Sequence, residues 1–171
     1  YKNRDHYILR NSSRTDSAII YGGKDLSVDE KLSWKLSDKI TLTGKGGFYT
    51  RLADNANDKK TDRYRDYNGS VRMNYLISDK QDLTVSYLLD RYNKYDHYTK
   101  NDVDSLNYRN TQHTARAQYN YSFTPGNTLI GGAEFFRDEL MSYQFNGDTH
   151  ATNDYILYAQ HDFNVTEQFN L

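Results

Sequence analysis

The chain has no cysteine, a single proline and no long hydrophobic run, and its charges nearly cancel. Without cysteine there is no disulfide scaffold and no thiolate metal site. No apolar run approaches the ~20 residues of a transmembrane helix; the richest stretch is Ala18-Ile19-Ile20-Tyr21. A net charge of -1 gives the chain as a whole no pull toward nucleic acid or anionic lipid. Hydrophobic residues make up 36% of 171 residues and the mean hydropathy is -0.97, which argues against a large conventional interior.

Such low hydrophobicity ordinarily signals disorder. The 17 Tyr, seven Phe and one Trp do not fit a disordered chain. Aromatic residues at 15% with so little proline favour β structure, because flat rings suit pleated surfaces. Period-two alternation follows. Leu26, Val28, Leu32, Trp34 and Leu36 alternate with Ser27, Asp29, Lys31, Ser33 and Lys35. Val71, Met73, Tyr75 and Ile77 do the same, as do Leu83 to Leu89, Ala115 to Phe123, Leu129 to Phe135 and Leu157 to Val165. No stretch has a comparable helical period.

The pattern predicts an all-β, antiparallel up-and-down meander of about eight long strands. They lie at 2–10, 17–36, 40–53, 65–77, 82–96, 111–123, 128–144 and 153–165, with a ninth from Phe169. Short connections at 37–39, 78–81, 124–127 and 166–168 alternate with longer polar ones at 54–64, 97–110 and 145–152. Several strands exceed the ~9–11 residues that cross a bilayer at the usual tilt.

One small motif recurs at the short connections: WKLSDKITL, YLISDKQDL, YSFTPGNTL and FNVTEQFNL. The copies start 41, 46 and 42 residues apart, one hairpin each. Each places an aromatic residue (Trp34, Tyr75, Tyr121, Phe163) on the apolar face at a fixed distance before a turn. Four such rings on neighbouring tilted strands form a band, the arrangement of a membrane-interface girdle on a transmembrane barrel. Asp29, Lys31, Lys35, Lys45, Arg51, Arg72, Arg116 and Glu134 fall on the opposite face. A narrow dry barrel could not hold them unpaired, so the expected barrel is a large one with a wet or plugged lumen.

The stretches ITLTGKGGFYTR (40–51), RDYNGSVRMNYLISDKQDLTVSYLLDRYNKYD (65–96), NTQHTARAQYNYSFTPGNTLIGGAEFFRDELMSYQF (110–145) and YAQHDFNVTEQFNL (158–171) resemble the C-terminal barrel of TonB-dependent outer-membrane receptors of the Bacteroidetes type. The resemblance implies a 22-strand barrel of which residues 1–171 form a part. It also implies a bacterial outer-membrane location. The implied partners are outer-membrane lipid, a plug domain and TonB outside this chain, and a small imported ligand, with no nucleic acid. Siderophores, haem, cobalamin and oligosaccharides are the ligand classes that the resemblance brings. The chain begins at Tyr1 and stops inside a motif copy, and reads as a piece of something longer. A soluble carbohydrate-binding or adhesin β-domain and a passive outer-membrane porin are the alternatives.

No catalytic arrangement, cofactor cradle or metal spacing is read from the sequence, and an enzyme is not expected. His6, His97, His113, His150 and His161 are scattered, with His97 and His150 assigned to loops. The pairs Gly22-Gly23, Gly46-Gly47 and Gly131-Gly132 lie within strands, where glycine marks bulges or curvature. Asp102-Val103-Asp104 opens like a calcium loop, but Leu106 and His113 occupy ligand positions; Asp54-Asn55-Ala56-Asn57-Asp58 fails similarly. At the far end of the strands Arg65, Tyr67, Arg91, Tyr92 and Tyr95 are the candidate ligand contacts, through cation–π and aromatic packing. The competing reading makes them part of a second aromatic girdle.

Overall fold

The computed structural model describes residues 1–10, 17–54, 59–166 and 169–170. Its strands are β1 (Lys2–Arg4), β2 (Tyr7–Arg10), β3 (Ser17–Ile20), β4 (Gly23–Lys35), β5 (Ile40–Ala53), β6 (Lys60–Ser78), β7 (Gln81–Tyr98), β8 (Val103–Thr124), β9 (Asn127–Ser142), β10 (Thr149–Thr166) and β11 (Phe169–Asn170). Nine of them form one sheet in the order β1-β4-β5-β6-β7-β8-β9-β10-β11, and β2 pairs with β3 apart from it. From β4 to β10 every strand pairs antiparallel with the next in sequence. The expected up-and-down meander is therefore the observed architecture.

The short turns show what the motif does locally. In the first, Ser37 Oγ accepts from the backbone N–H of Lys39 and of Ile40, both at 3.2 Å, and Lys35 Nζ meets Asp38 at 2.8 Å. The Lys39 carbonyl then accepts from Leu76 N–H at 2.8 Å, while Lys39 Nζ reaches the Ile77 carbonyl at 3.3 Å. Lys80 repeats this one hairpin later, with Ser122 N–H at 2.8 Å and the Phe123 carbonyl at 3.5 Å. The lysine of each Ser-Asp-Lys turn thus ties that turn to the end of the strand that runs back to the next short turn, β6 for Lys39 and β8 for Lys80. The third turn uses Pro125 followed by Gly126 at φ 78, the chemistry of a type II turn.

Several boundaries differ from expectation. The strand expected over 2–10 is two, β1 and β2, and that expected over 17–36 breaks at Tyr21-Gly22. The break is a close approach: a Cβ on Gly22 would collide with the Arg4 carbonyl, so only glycine fits. The polar connections are also shorter than expected, because β6 starts at Lys60 and β8 at Val103. There polar residues predominate and the apolar Val103 and Leu106 are three apart, so no period-two contrast marks the strand. Cross-strand ion pairs accompany the ladder instead, with Lys60–Asp96 at 2.7 Å and Lys94–Asp62 at 3.4 Å. His97 and His150, assigned to loops, lie in β7 and β10. At the other end β9 stops at Ser142, which caps a 3-10 turn over Tyr143–Phe145.

Gly46-Gly47 and Gly131-Gly132 sit in regular ladder, and the register shifts fall elsewhere: between Leu76 and Ser78, Lys94 and Tyr95, Ser122 and Thr124, and Asn164 and Thr166. Among the described residues no hydrophobic side chain is fully buried. Besides Gly22 and Gly23, the buried residues among those described are Asp25, Thr61, Asn93, His97, Thr111 and Ser142, all polar. The described chain is a single-layer wall without a second layer to cover it.

Candidate functional site

Register divides the wall into two faces. One row runs Trp34–Leu42–Met73–Val85–Ala117–Ala133–Leu157, every member apolar. The row two residues further from the short turns is Leu32–Gly44–Val71–Tyr87–Ala115–Phe135–Tyr155. This apolar face is open: Trp34 is 67% exposed, Leu32 72%, Tyr155 79% and Leu157 85%. Covering a side chain of that size with an apolar medium contributes about 1.5–3 kcal/mol. Glu30 breaks the pattern on β4, where it stands opposite Gly46.

The motif aromatics have a fixed stagger. Trp34 leads through Leu42 to Met73, two residues short of Tyr75. Tyr75 leads through Leu83 to Tyr119, two short of Tyr121, and Tyr121 through Leu129 to His161, two short of Phe163. That is one residue per strand. With a rise of ~3.3 Å per residue and ~4.7 Å between strands, such a row lies level when strands tilt by roughly 35°, within the range at which barrels close. By the same stagger Phe48, Tyr67, Phe135 and Tyr155 form a second level row about 20 Å away. Phe48 packs on Tyr67 and Phe135 on Tyr155, both with ring centroids 5.1 Å apart.

The opposite face carries Asp29, Lys31, Lys35, Lys45, Arg51, Arg72, Arg116 and Glu134. Its centre is a hydrogen-bonded network. Arg116 Nε donates to the Tyr158 hydroxyl at 3.1 Å with its guanidinium over that ring, the Tyr158 hydroxyl donates to Gln118 at 3.1 Å, and Glu134 lies 3.7 Å from Arg116. Gln118 continues to Asn120 and Asn120 to Asp82. Toward the long hairpin tips the same face holds Tyr64, Tyr92 and Tyr108. Tyr64 and Tyr92 stack at 6.1 Å, and Tyr92 meets Tyr108 edge-on at 5.9 Å. Asp66 and Asp90 flank these rings on neighbouring rows, and Asn110 donates to Asp138 at 2.6 Å.

At the hairpin tips the apolar face becomes charged. Arg63 and Arg65 both donate to Asp104, at 2.9 Å and 2.6 Å, and His97 Nδ1 lies 2.9 Å from the same carboxylate. Arg65 also sits 4.9 Å above the Tyr95 ring. Burial pushes the Asp104 carboxyl up, but the hydrogen bonds from His97 and Arg63 and the charges of Arg63 and Arg65 outweigh it and hold it below the ordinary value. Lys60 is raised by its hydrogen bond to Asp96.

Of the candidate ligand contacts, Arg65, Tyr67, Arg91 and Tyr95 share the face that carries Trp34, and Tyr92 lies on the other. Arg65 and Tyr95 are in contact, while Tyr92 joins the tyrosine ladder. In the calcium candidate at 102–104 the Asp104 carboxylate is already held by two arginines and a histidine, and Asp102 is exposed at a left-handed turn position. The second acidic stretch lies largely at 55–58, outside the described residues. The Asp104 network was not read from the sequence. A bulge explains this: Lys94 faces Tyr108 and Tyr95 faces Leu106, so Asn107 is extra and reverses the alternation beyond it.

A long antiparallel meander with one apolar face and one charged face is the form of a section of wall from a large β-barrel. A solved structure, the copper transporter OprC, matches over 86% of this chain with a TM-score of 0.60 at 12% identity. The chain spans 28% of that protein's length. No protein-family model matches the chain, and no curated protein does.

Proposed function

We propose that this chain is part of the barrel wall of a TonB-dependent outer-membrane receptor, of the Bacteroidetes type that its strand phrases resemble, and that its parent imports a scarce ligand. The observation that carries the reading is the uncovered apolar face, seven strands wide in continuous register, backed by a charged face. Trp34, Tyr75, Tyr121 and Phe163 then mark the periplasmic interface, and Phe48, Tyr67, Phe135 and Tyr155 the outer one. The spacing of about 20 Å is close to the ~25 Å apolar band of such barrels. The charged face is the lumenal wall, against which a plug domain packs and past which cargo moves when TonB displaces the plug.

The lumenal tyrosines Tyr64, Tyr92 and Tyr108, with Asp66, Asp90 and Asp138 beside them, suit a ligand with a flat apolar side and many donors. Among the siderophore, haem, cobalamin and oligosaccharide classes, this favours an oligosaccharide or a donor-rich siderophore. The copper in the neighbour's name is not carried over, since no three His, Asp or Glu side chains converge as a metal-binding group among the described residues.

The test is uptake by cells expressing the parent reading frame, with and without TonB and a proton-motive force. Loss of uptake in both cases, with a heat-modifiable band in the outer-membrane fraction, is the expected result. Energy-independent uptake would make the parent a passive porin. A protein that stays in the aqueous fraction would return the chain to a soluble β-domain.

A further inference from the structure

The outward face does not end at its upper aromatics. One or two residues beyond Phe48, Tyr67, Phe135 and Tyr155, by the same stagger, stand Lys24, Arg65, Arg91 and Arg137. Arg63 and Arg109 lie one step further. These six cations share three carboxylates: Asp104 for Arg63 and Arg65, the exposed Asp102 for Arg63 at 3.9 Å, and Glu139 for Arg137 at 2.6 Å. Arg91 has no acidic partner among the described residues, and its Nε is buried without an acceptor. Arg109 donates only to the Asn93 side chain, at 3.3 Å. Arg91, Arg109 and His113 line one notch with Glu139, whose carboxylate is held by Arg137, and Leu89 and Met141 form its apolar wall. A chain that is nearly neutral overall thus concentrates positive charge in one outward band.

We infer that this band binds the phosphate groups of anionic membrane lipids, with Arg91 and Arg109 as the main phosphate contacts. Guanidinium forks match phosphate oxygens and are less strongly hydrated than ammonium groups, so they suit a partly buried phosphate. A lipid surface is the occupant because the notch continues the apolar band: acyl chains lie along the outward face up to the aromatic row, and their headgroups then stand at the height of the arginines. Leu89 and Met141 would meet the chain and Arg91 and Arg109 the phosphate. The inference rests on the membrane reading above, and its test separates the two.

The parent protein is reconstituted into vesicles of phosphatidylcholine alone and of equal parts phosphatidylcholine and phosphatidic acid, and retained lipid is counted by native mass spectrometry after mild delipidation. Retention of phosphatidic acid over phosphatidylcholine is expected. The Arg91→Gln/Arg109→Gln pair should weaken it by about ten- to thirtyfold, at roughly a few-fold to tenfold per lost surface cation. Lys24→Gln, at an exposed position without an ion pair, should cause a smaller loss, and serves if the arginine pair does not fold. Arg72→Gln, on the lumenal face, should change nothing. Insertion into both vesicles without preference for phosphatidic acid, or equal loss with Arg72→Gln, overturns the inference and leaves the membrane reading standing. Displacement of the lipid by an equal concentration of inorganic phosphate overturns the lipid as its occupant. Failure to enter either vesicle overturns the membrane reading itself.

Discussion

Arg63 donates through a single nitrogen, Nη1, to both carboxylate oxygens of Asp104 at 2.9 Å, although 41 residues separate them. The contact spans β6 to β8 across His97 of β7, whose side chain is buried. It therefore fastens the tip of the β7–β8 hairpin to its neighbour. Asp104→Asn removes the charge shared by Arg63, Arg65 and His97 while keeping the shape. We expect a local loss of about 1–3 kcal/mol, read as faster amide hydrogen exchange at 97–106 with the ladder nearer the short turns unchanged. Equal acceleration along the whole of β8 would show that the contact does not act locally.

Acid should undo the same contact in a defined window. The Asp104 carboxyl is held below its ordinary value in the folded state. Its unfolded value is about 3.9, so its contribution is complete above about pH 4 and disappears as pH falls through the folded value. Exchange protection at the hairpin tip should hold from neutral pH down to about pH 4 and drop below it. The Asp104→Asn protein should lack that acid step. A decline beginning near pH 6 would assign the switch to another group.

The two faces make opposite demands on neighbouring residues. Val85 lies in the apolar row between Met73 and Ala117, and Ser86 lies between Arg72 and Arg116 on the lumenal face. Val85→Glu places a carboxylate in the hydrocarbon band and should cost about 1–3 kcal/mol. Ser86→Glu places it between two cations and should be neutral or slightly stabilising. Unfolding in urea of the reconstituted protein compares them, and similar losses for both would contradict the face assignment.

How far this was legible from sequence depended on contrast between faces. The stretch around WKLSDKITL alternates cleanly, and its strands and turn were read within a few residues. The tip at 60–64 carries few apolar residues, and at 103–110 Val103 and Leu106 are three apart, so neither shows a period of two, although Lys60–Asp96 and Arg63–Asp104 accompany the ladder there. Arg91 and Tyr92 were grouped as one rim because they are adjacent; in a strand adjacency puts them on opposite faces. Gly22 fits a strand by pattern alone, and only the nearness of the Arg4 carbonyl explains why no side chain fits there.

Adjacent glycines in β9 should respond in opposite ways. Gly131 faces outward, and a Cβ there would meet nothing within 4 Å. Gly131→Val should be neutral or stabilise by about 0.5–1 kcal/mol through lower chain entropy and better strand propensity. At Gly132 a Cβ would strike the Tyr158 ring and lie 2.7 Å from the Ala117 carbonyl oxygen. Gly132→Val should cost about 1–3 kcal/mol and displace the Tyr158 hydroxyl from Arg116 and Gln118. Thermal unfolding of the two variants decides it: a Gly132→Val protein as stable as Gly131→Val would mean that the Tyr158 ring does not rest there.

The bulge at Asn107 offers the strictest test of the outward network, because it changes no charge. Alternation from Arg109 and Thr111 would carry the outward face to Ser105 and Val103; the extra residue transfers it to Leu106 and Asp104. Deleting Asn107 should close the bulge without moving either neighbour: Tyr108 stays opposite Lys94 and Leu106 opposite Tyr95, so Asp104 remains outward beside Arg63, Arg65 and His97. The hairpin tip should therefore keep its exchange protection, and adding Asp104→Asn to the deletion should accelerate exchange as it does in the intact chain. Ser105→Asp in that double background, on the opposite face, should not replace the lost carboxylate. Loss of protection on deletion alone, or rescue by Ser105→Asp, would mean that Asn107 is not the extra residue and that the alternation beyond it runs the other way.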